Sequence, residues 1–196
     1  MPAATDPHTA LRDATRSRHE RLDSSLRIAA PDATYADYVG HLAALLGWLH
    51  PVEQHFWQRT WPARLQPTQR SHKAEWIHED LRAAAAAGVP APPLQDCTEL
   101  PDTDGPQAYA LGVLYVVEGS QLGGRMLYKR YSQAHPGGSF RYLAGYGEAL
   151  GGLWKDYLAF LEEALDTPEA MAQACRGACD AFDTLNRWLA ARGQMA

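Results

Sequence analysis

The segment Leu11-Arg-Asp-Ala-Thr-Arg-Ser-Arg-His19-Glu-Arg-Leu-Asp23 concentrates groups that do chemistry. An α-helix turns about 100° per residue, so Arg12 and His19 fall about 20° from one line and about 10 Å apart along the axis. Arg16 falls about 40° from Arg12 on the same side. One helix face thus carries an imidazole at one level and two guanidiniums one and two turns before it. Asp23, one turn after His19, is placed to accept the second imidazole N–H and fix the tautomer. A neutral imidazole is a metal ligand, and guanidiniums recognise carboxylates. A flat ligand with a metal at its centre and carboxylates along one edge suits this face. The bland alternative is a solvated charged stripe, the usual fate of such a pattern.

Heme fits that description, with iron on His19 and propionates on Arg12 and Arg16. The other histidines, such as His41, His50, His55 and His78, have no comparable neighbours and read as structural or surface groups.

A second segment, Ala110 to Leu127, holds Gly119, Gly123 and Gly124 inside an apolar helical pattern. Glycine in a helix interior costs about 1 kcal/mol relative to alanine. Such a cost points to close approach of another group or to a kink. Gly119 and Gly123 share one face, where a planar ligand can press on bare backbone and a diatomic molecule can sit above it. Close helix–helix packing through small residues is the competing explanation.

These residues must be held by helices. The first amphipathic segment runs from about Ala10 to Leu26, with Thr9 as N-cap. The second starts near Asp32 or Thr34 and reaches about Trp57, with Tyr35, Tyr38, Leu42, Leu45, Leu46 and Leu49 at helical period and a kink at Pro51. The third spans about Ser71 to Ala87 and is stopped by Gly88. Residues 89–106 carry five prolines and form a loop. The fourth, about Gln107 to Tyr131, is interrupted by glycine, and His135 to Gly138 is a loop. The fifth covers about Glu148 to Leu165, and Thr167-Pro168 opens a last one reaching about Ala191. No strand pattern and no internal repeat is visible. The expected fold is all-α, a single domain of six to eight helices over residues 10–192, between a short flexible N-terminus (1–9) and a tail (193–196).

Composition narrows the class. The chain has 196 residues, 46% apolar and 21% charged, with a formal charge of −5. That suits one globular domain with a core of its own and excludes disorder. Mild acidity argues against non-specific nucleic-acid binding. No run approaches the roughly 18 apolar residues of a membrane span, and Met1 to Asp6 lacks the basic and apolar regions of a secretory signal. Cys97, Cys175 and Cys179, an odd number at no framework spacing, agree with a reducing cytoplasm. Cys175 and Cys179, four apart, read as packing residues rather than a redox pair.

Together the two glycine- and histidine-bearing segments resemble the heme oxygenase family. Its first helix reads leucine, basic, acidic, alanine, threonine, basic and then histidine, here Leu11, Arg12, Asp13, Ala14, Thr15, Arg16 and His19. Its distal helix reads glycine, three residues, glycine, glycine, here Gly119, Gly123 and Gly124. The run from Leu114 to Gly124 is similar to the bacterial branch that accompanies bacteriophytochromes. Gly145-Tyr146-Gly147 with Gly151 and Trp154, and Phe182 with Asn186, resemble further family stretches. The resemblance covers about residues 10–190.

The resemblance implies an all-α fold with heme between a proximal N-terminal helix and a glycine-kinked distal helix. His19 would be the axial iron ligand, and Arg12, Thr15, Arg16, Gly119, Gly123, Gly124 and Phe182 would line the heme. Gly119, Ser120 and Gly123 would form the catalytic distal side. The reaction would open heme to biliverdin with release of carbon monoxide and ferrous iron. Dioxygen would be co-substrate, with electrons from a reductase or ferredoxin and a bacteriophytochrome as product acceptor. A neutral histidine ligand suits dioxygen binding, and a distal side without His or Arg lacks the acid of peroxidase chemistry. The family often has an acidic residue directly after the first distal glycine, where this chain has Ser120. That departure keeps open a non-catalytic heme carrier or sensor on the same fold; a heme-free enzyme on the related thiaminase-like fold is a separate alternative. Arg12, Arg16, Arg18 and Arg21, with Arg125, Lys129 and Arg130, form either a basic rim for an acidic redox partner or ordinary solvated helix ends.

Overall fold

The computed structural model describes residues 6–195. Eight α-helices follow one another among them: α1 Pro7–Ser25, α2 Tyr35–Val52, α3 Pro67–Arg70, α4 Lys73–Ala86, α5 Gln107–Ala134, α6 Arg141–Ala144, α7 Leu150–Ala164 and α8 Pro168–Ala191. The only strand-like feature among these residues is one isolated bridge, Leu26 to Met195. None of their helices is long and apolar enough to cross a membrane. Residues 1–5 and 196, parts of the expected terminal segments, lie outside the described residues.

Local chemistry sets the helix ends. The first helix starts earlier than the Thr9 cap expected from sequence. Asp6 is the cap, its carboxylate accepting from the Thr9 backbone N–H at 2.9 Å, and Pro7 occupies the first turn. Proline there loses no hydrogen bond and presets the helical φ, which is why the helix starts one turn early. Thr34 and Asp37 close a reciprocal capping box at the start of α2. Thr167 caps α8 through Ala170. Gly88, at φ +82°, ends α4, and the Val89 N–H returns to the Ala84 carbonyl.

Pro51 shapes the middle of the chain. It lacks the N–H that would bond the Gly47 carbonyl, and that carbonyl instead accepts from the Cys97 N–H at 2.8 Å. The loop can come this close because position 47 has no side chain. A Cβ there would lie 2.1 Å from the Gln95 carbonyl oxygen. After Val52 the chain widens into a π turn, Glu53–Trp57.

The longest helix, α5, runs through its glycines without a break, in place of the interruption expected from sequence. Its N-terminal half is buried against α8, and the two backbones nearly touch. A Cβ on Gly112 would sit 1.8 Å from the Ala174 carbonyl oxygen, and one on Gly177 would sit 2.1 Å from that of Tyr109. α1 also lies on α8, where the Cys179 thiol donates to the Ala14 carbonyl at 3.4 Å. All three cysteines are free thiols.

Gly112→Ala and Gly177→Ala should each destabilise the fold by about 3 kcal/mol, the upper range for overpacking. Urea unfolding measures it. A wild-type midpoint in both variants would mean that α5 and α8 are not in backbone contact.

Candidate functional site

The site forms because α1 and α5 both pack on α8 and scarcely touch each other. One end of the resulting cleft is closed by the His8 ring, 6.2 Å from Tyr115 and 6.0 Å from Trp154. At the other end the Arg130 guanidinium donates to the carbonyls of Ile28 and Ala29, and the Tyr131 hydroxyl donates to Ile28 at 3.2 Å. Arg130 is therefore a clamp and does not join the basic rim.

The histidine wall is held by the α1–α8 packing. Arg18 pairs with Asp183 at 2.9 Å, and the Asn186 amide donates to the Arg18 carbonyl at 3.4 Å. Next to these contacts His19 emerges, its side chain 58% exposed. Its Nδ1 lies 2.9 Å from the Asp23 carboxylate, which selects the Nδ1–H tautomer of the neutral ring and leaves Nε2 as its ligand nitrogen. The Phe182 ring meets the imidazole edge-on at 5.6 Å between centroids and fixes its plane.

Arg12 and Arg16 stand on the solvent side of α1, and both approach Asp13. Ion pairs this exposed contribute about 0–1 kcal/mol, so a ligand carboxylate can replace Asp13 at little cost. Thr15 is placed differently from the sequence expectation. It lies about 40° from Leu11 round the helix and shares its buried face. Its hydroxyl donates to the Leu11 carbonyl at 2.8 Å, and it presents nothing to the cleft.

On the facing wall the glycines divide by what surrounds them. A Cβ on Gly119 would meet only the Trp154 ring, at 3.6 Å, and one on Gly123 would meet nothing within 4 Å. Helix packing, which accounts for Gly112, does not account for these two. Their face is bare backbone open to the cleft, continued by the exposed apolar side chains of Leu122 and Met126. Gly124 faces the Leu143 carbonyl on α6 instead. Ser120 also lies off the glycine face. Its hydroxyl donates to the Val117 carbonyl at 2.8 Å, and it neighbours the buried Tyr142 phenol, pushed up to about 12 by desolvation.

Sequence reasoning missed the groups that hold this wall in place. Glu118 is buried and accepts from Arg70, from Lys73 at 2.6 Å and from Tyr146 at 3.1 Å. Arg70 also donates to the Leu153 carbonyl at 2.8 Å, next to Trp154. Asp80 gathers Tyr38, Ser139 and the Arg141 and Tyr142 backbone N–H groups at 2.6–2.9 Å. Buried charges are held only where they are paired and hydrogen-bonded.

The arrangement suits a planar group carrying its own metal. On α1 an aromatic edge flanks the imidazole and two cations stand nearby, and on α5, packed on the same helix α8, lies a side-chain-free backbone. A Cβ at Gly123 would enter that space.

The heme oxygenase family model matches residues 6–191. Heme oxygenase PigA of Pseudomonas aeruginosa is 30% identical over 173 residues, 86% of this chain and 84% of that protein. A heme oxygenase of Xanthomonas campestris pv. campestris is 32% identical over 123 residues, 60% of this chain and 67% of that protein. Among solved structures, the NO- and CO-bound heme oxygenase from Neisseria meningitidis shares the fold with a TM-score of 0.76 and 23% identity, over 98% of this chain and 94% of that one. The all-α fold, the glycine-bearing distal helix and the match across nearly the whole chain lead to one conclusion: this chain belongs to the heme oxygenase family, a family of heme-degrading oxidoreductases.

Proposed function

We propose that this enzyme opens heme to biliverdin, with release of carbon monoxide and ferrous iron, in the cleft between α1 and α5. One observation carries the reading. α1 carries an imidazole with its tautomer selected by Asp23, and α5, packed beside it on α8, carries two glycines whose lack of side chains no protein contact explains. Bound heme supplies the redox iron and is itself the substrate oxidised, with dioxygen as co-substrate. The chain's own residues bind and orient. His19 offers Nε2 to the iron, Asp23 accepts from Nδ1–H and so selects the tautomer, and Phe182 holds the ring. Arg12 and Arg16 meet the propionates. Gly119 and Gly123 leave room for dioxygen, and Trp154 bounds that room at Gly119. Electrons come from a separate reductase or ferredoxin. The reaction takes place in the cytoplasm, a reading supported by the odd cysteine count at no framework spacing. The product is passed to a bacteriophytochrome, a reading supported by the run from Leu114 to Gly124, which resembles the phytochrome-associated branch.

His19→Ala removes the iron ligand and leaves the apolar cleft. Heme should still bind, more weakly, without biliverdin formation until imidazole is added. An unaltered spectrum and turnover in that variant would move the ligand elsewhere. Absorption titration with hemin followed by reduction reads both.

Arg12 and Arg16 contribute at an exposed edge, where a pair is worth about 0–1 kcal/mol. Replacing both with Ala should change heme affinity only modestly and broaden the biliverdin isomer mixture. An unchanged isomer ratio would place both arginines in solvent alone.

Gly123 separates a substrate role from a packing role. With open space at this position, Gly123→Ala should stabilise the heme-free helix by about 1 kcal/mol, and Gly123→Leu should also fold. Biliverdin yield should fall with side-chain size while His19 ligation persists. Melting temperature and single-turnover yield on the same series decide. Stability lost in step with side-chain volume, with normal yield in the folded fraction, would remove Gly123 from the site.

A further inference from the structure

Resting on the heme reading above, we infer that Met126 is a further residue that, together with the rim arginines, sets the in-plane orientation of the macrocycle. A single axial imidazole fixes where the iron sits and leaves the porphyrin free to rotate about the iron–nitrogen axis. Something at the edge of the ring must stop that rotation if one carbon is to be attacked. The glycine wall cannot, because Gly119 and Gly123 present no side chain. The rim arginines bias the ring only at its propionate edge and do so loosely, because both are exposed and shared with Asp13.

Met126 is placed for the task. It lies three residues after Gly123 and seven after Gly119, on the same stripe of α5. At 82% it is the most exposed of the large apolar side chains described. No core contact accounts for a methionine there. The next residue on this stripe, Arg130, is fixed to the Ile28 and Ala29 carbonyls, so the backbone carrying Met126 is tied down on its far side. A long, unbranched thioether on a clamped helix, beside a bare wall, fills an irregular gap against an apolar edge. Leu122, on the same stripe, is half-covered and less free to reach out.

The test uses the heme complex of Met126→Ala and Met126→Leu. In Met126→Ala, His19 ligation should persist with unchanged thermal stability. The heme-methyl resonances of the ferric complex should split into two sets, reporting two seatings of the ring, and the single dominant biliverdin isomer should be lost. Met126→Leu, close in volume, should keep the wild-type pattern in both readouts. A Met126→Ala complex with one wild-type set of resonances and the wild-type isomer ratio overturns the assignment. So does a wild-type complex already seated two ways. If hemin fails to bind wild type, or binds without dependence on His19, the reading of the cleft falls, and the assignment of Met126 falls with it.

Discussion

The functional face of α5 depends on one buried carboxylate. Glu118 sits in the core with Arg70 and Lys73, both fully buried, and with the Tyr146 hydroxyl. Removing one member of such a network leaves an uncompensated buried charge, at a cost of about 3–5 kcal/mol. The helix therefore cannot roll about its axis. Gly119 follows Glu118 by one residue, about 100° round, so holding Glu118 inward turns the glycines toward the cleft. The same Arg70 donates to the Leu153 carbonyl. That bond places Trp154, the ring that bounds the space at Gly119. Lys73 opens α4, whose first two backbone N–H groups are capped by Glu53 at 3.1 and 2.9 Å. One network thus fixes the distal wall, its neighbouring aromatic ring and the helix behind it.

Glycine serves two purposes in this fold, and the surroundings tell them apart. At Gly47, Gly112 and Gly177 a Cβ would fall 1.8–2.1 Å from a backbone oxygen, so glycine is a packing requirement. At Gly123 there is nothing to meet. Under the proposed function, the open space at Gly123 is where heme and its diatomic partner fit. The exposed Leu122 and Met126 beside it extend the same apolar surface. Contiguous exposed apolar surface marks a place that a partner or ligand covers.

Much of this was legible in the sequence because it is local. The helices followed from apolar period, capping residues and prolines. The pairing of His19 with Asp23 follows from a four-residue spacing on one helix, and the structure shows the contact. What escaped was either long-range or a matter of rotation. Glu118 finds partners 45 and 48 residues away, and no spacing rule connects them. Thr15 fits the family pattern, yet a 40° difference in facing buries it beside Leu11. Thr9 was a plausible cap, but Asp6-Pro7 is a stronger start signal and lies one turn earlier. Gly119 and Gly112 look alike in sequence, and only the neighbouring α8 distinguishes them.

The central claim is that His19 and the bare face of α5 hold one heme between them. Resonance Raman spectroscopy of the ferrous heme complex tests it most directly, because the iron–imidazole stretch reports the proximal bond itself. The account predicts that band in the wild-type protein, its loss in His19→Ala, and a shift in frequency in Asp23→Asn as the ring loses its carboxylate partner. An iron–imidazole band that survives unchanged in His19→Ala would contradict it.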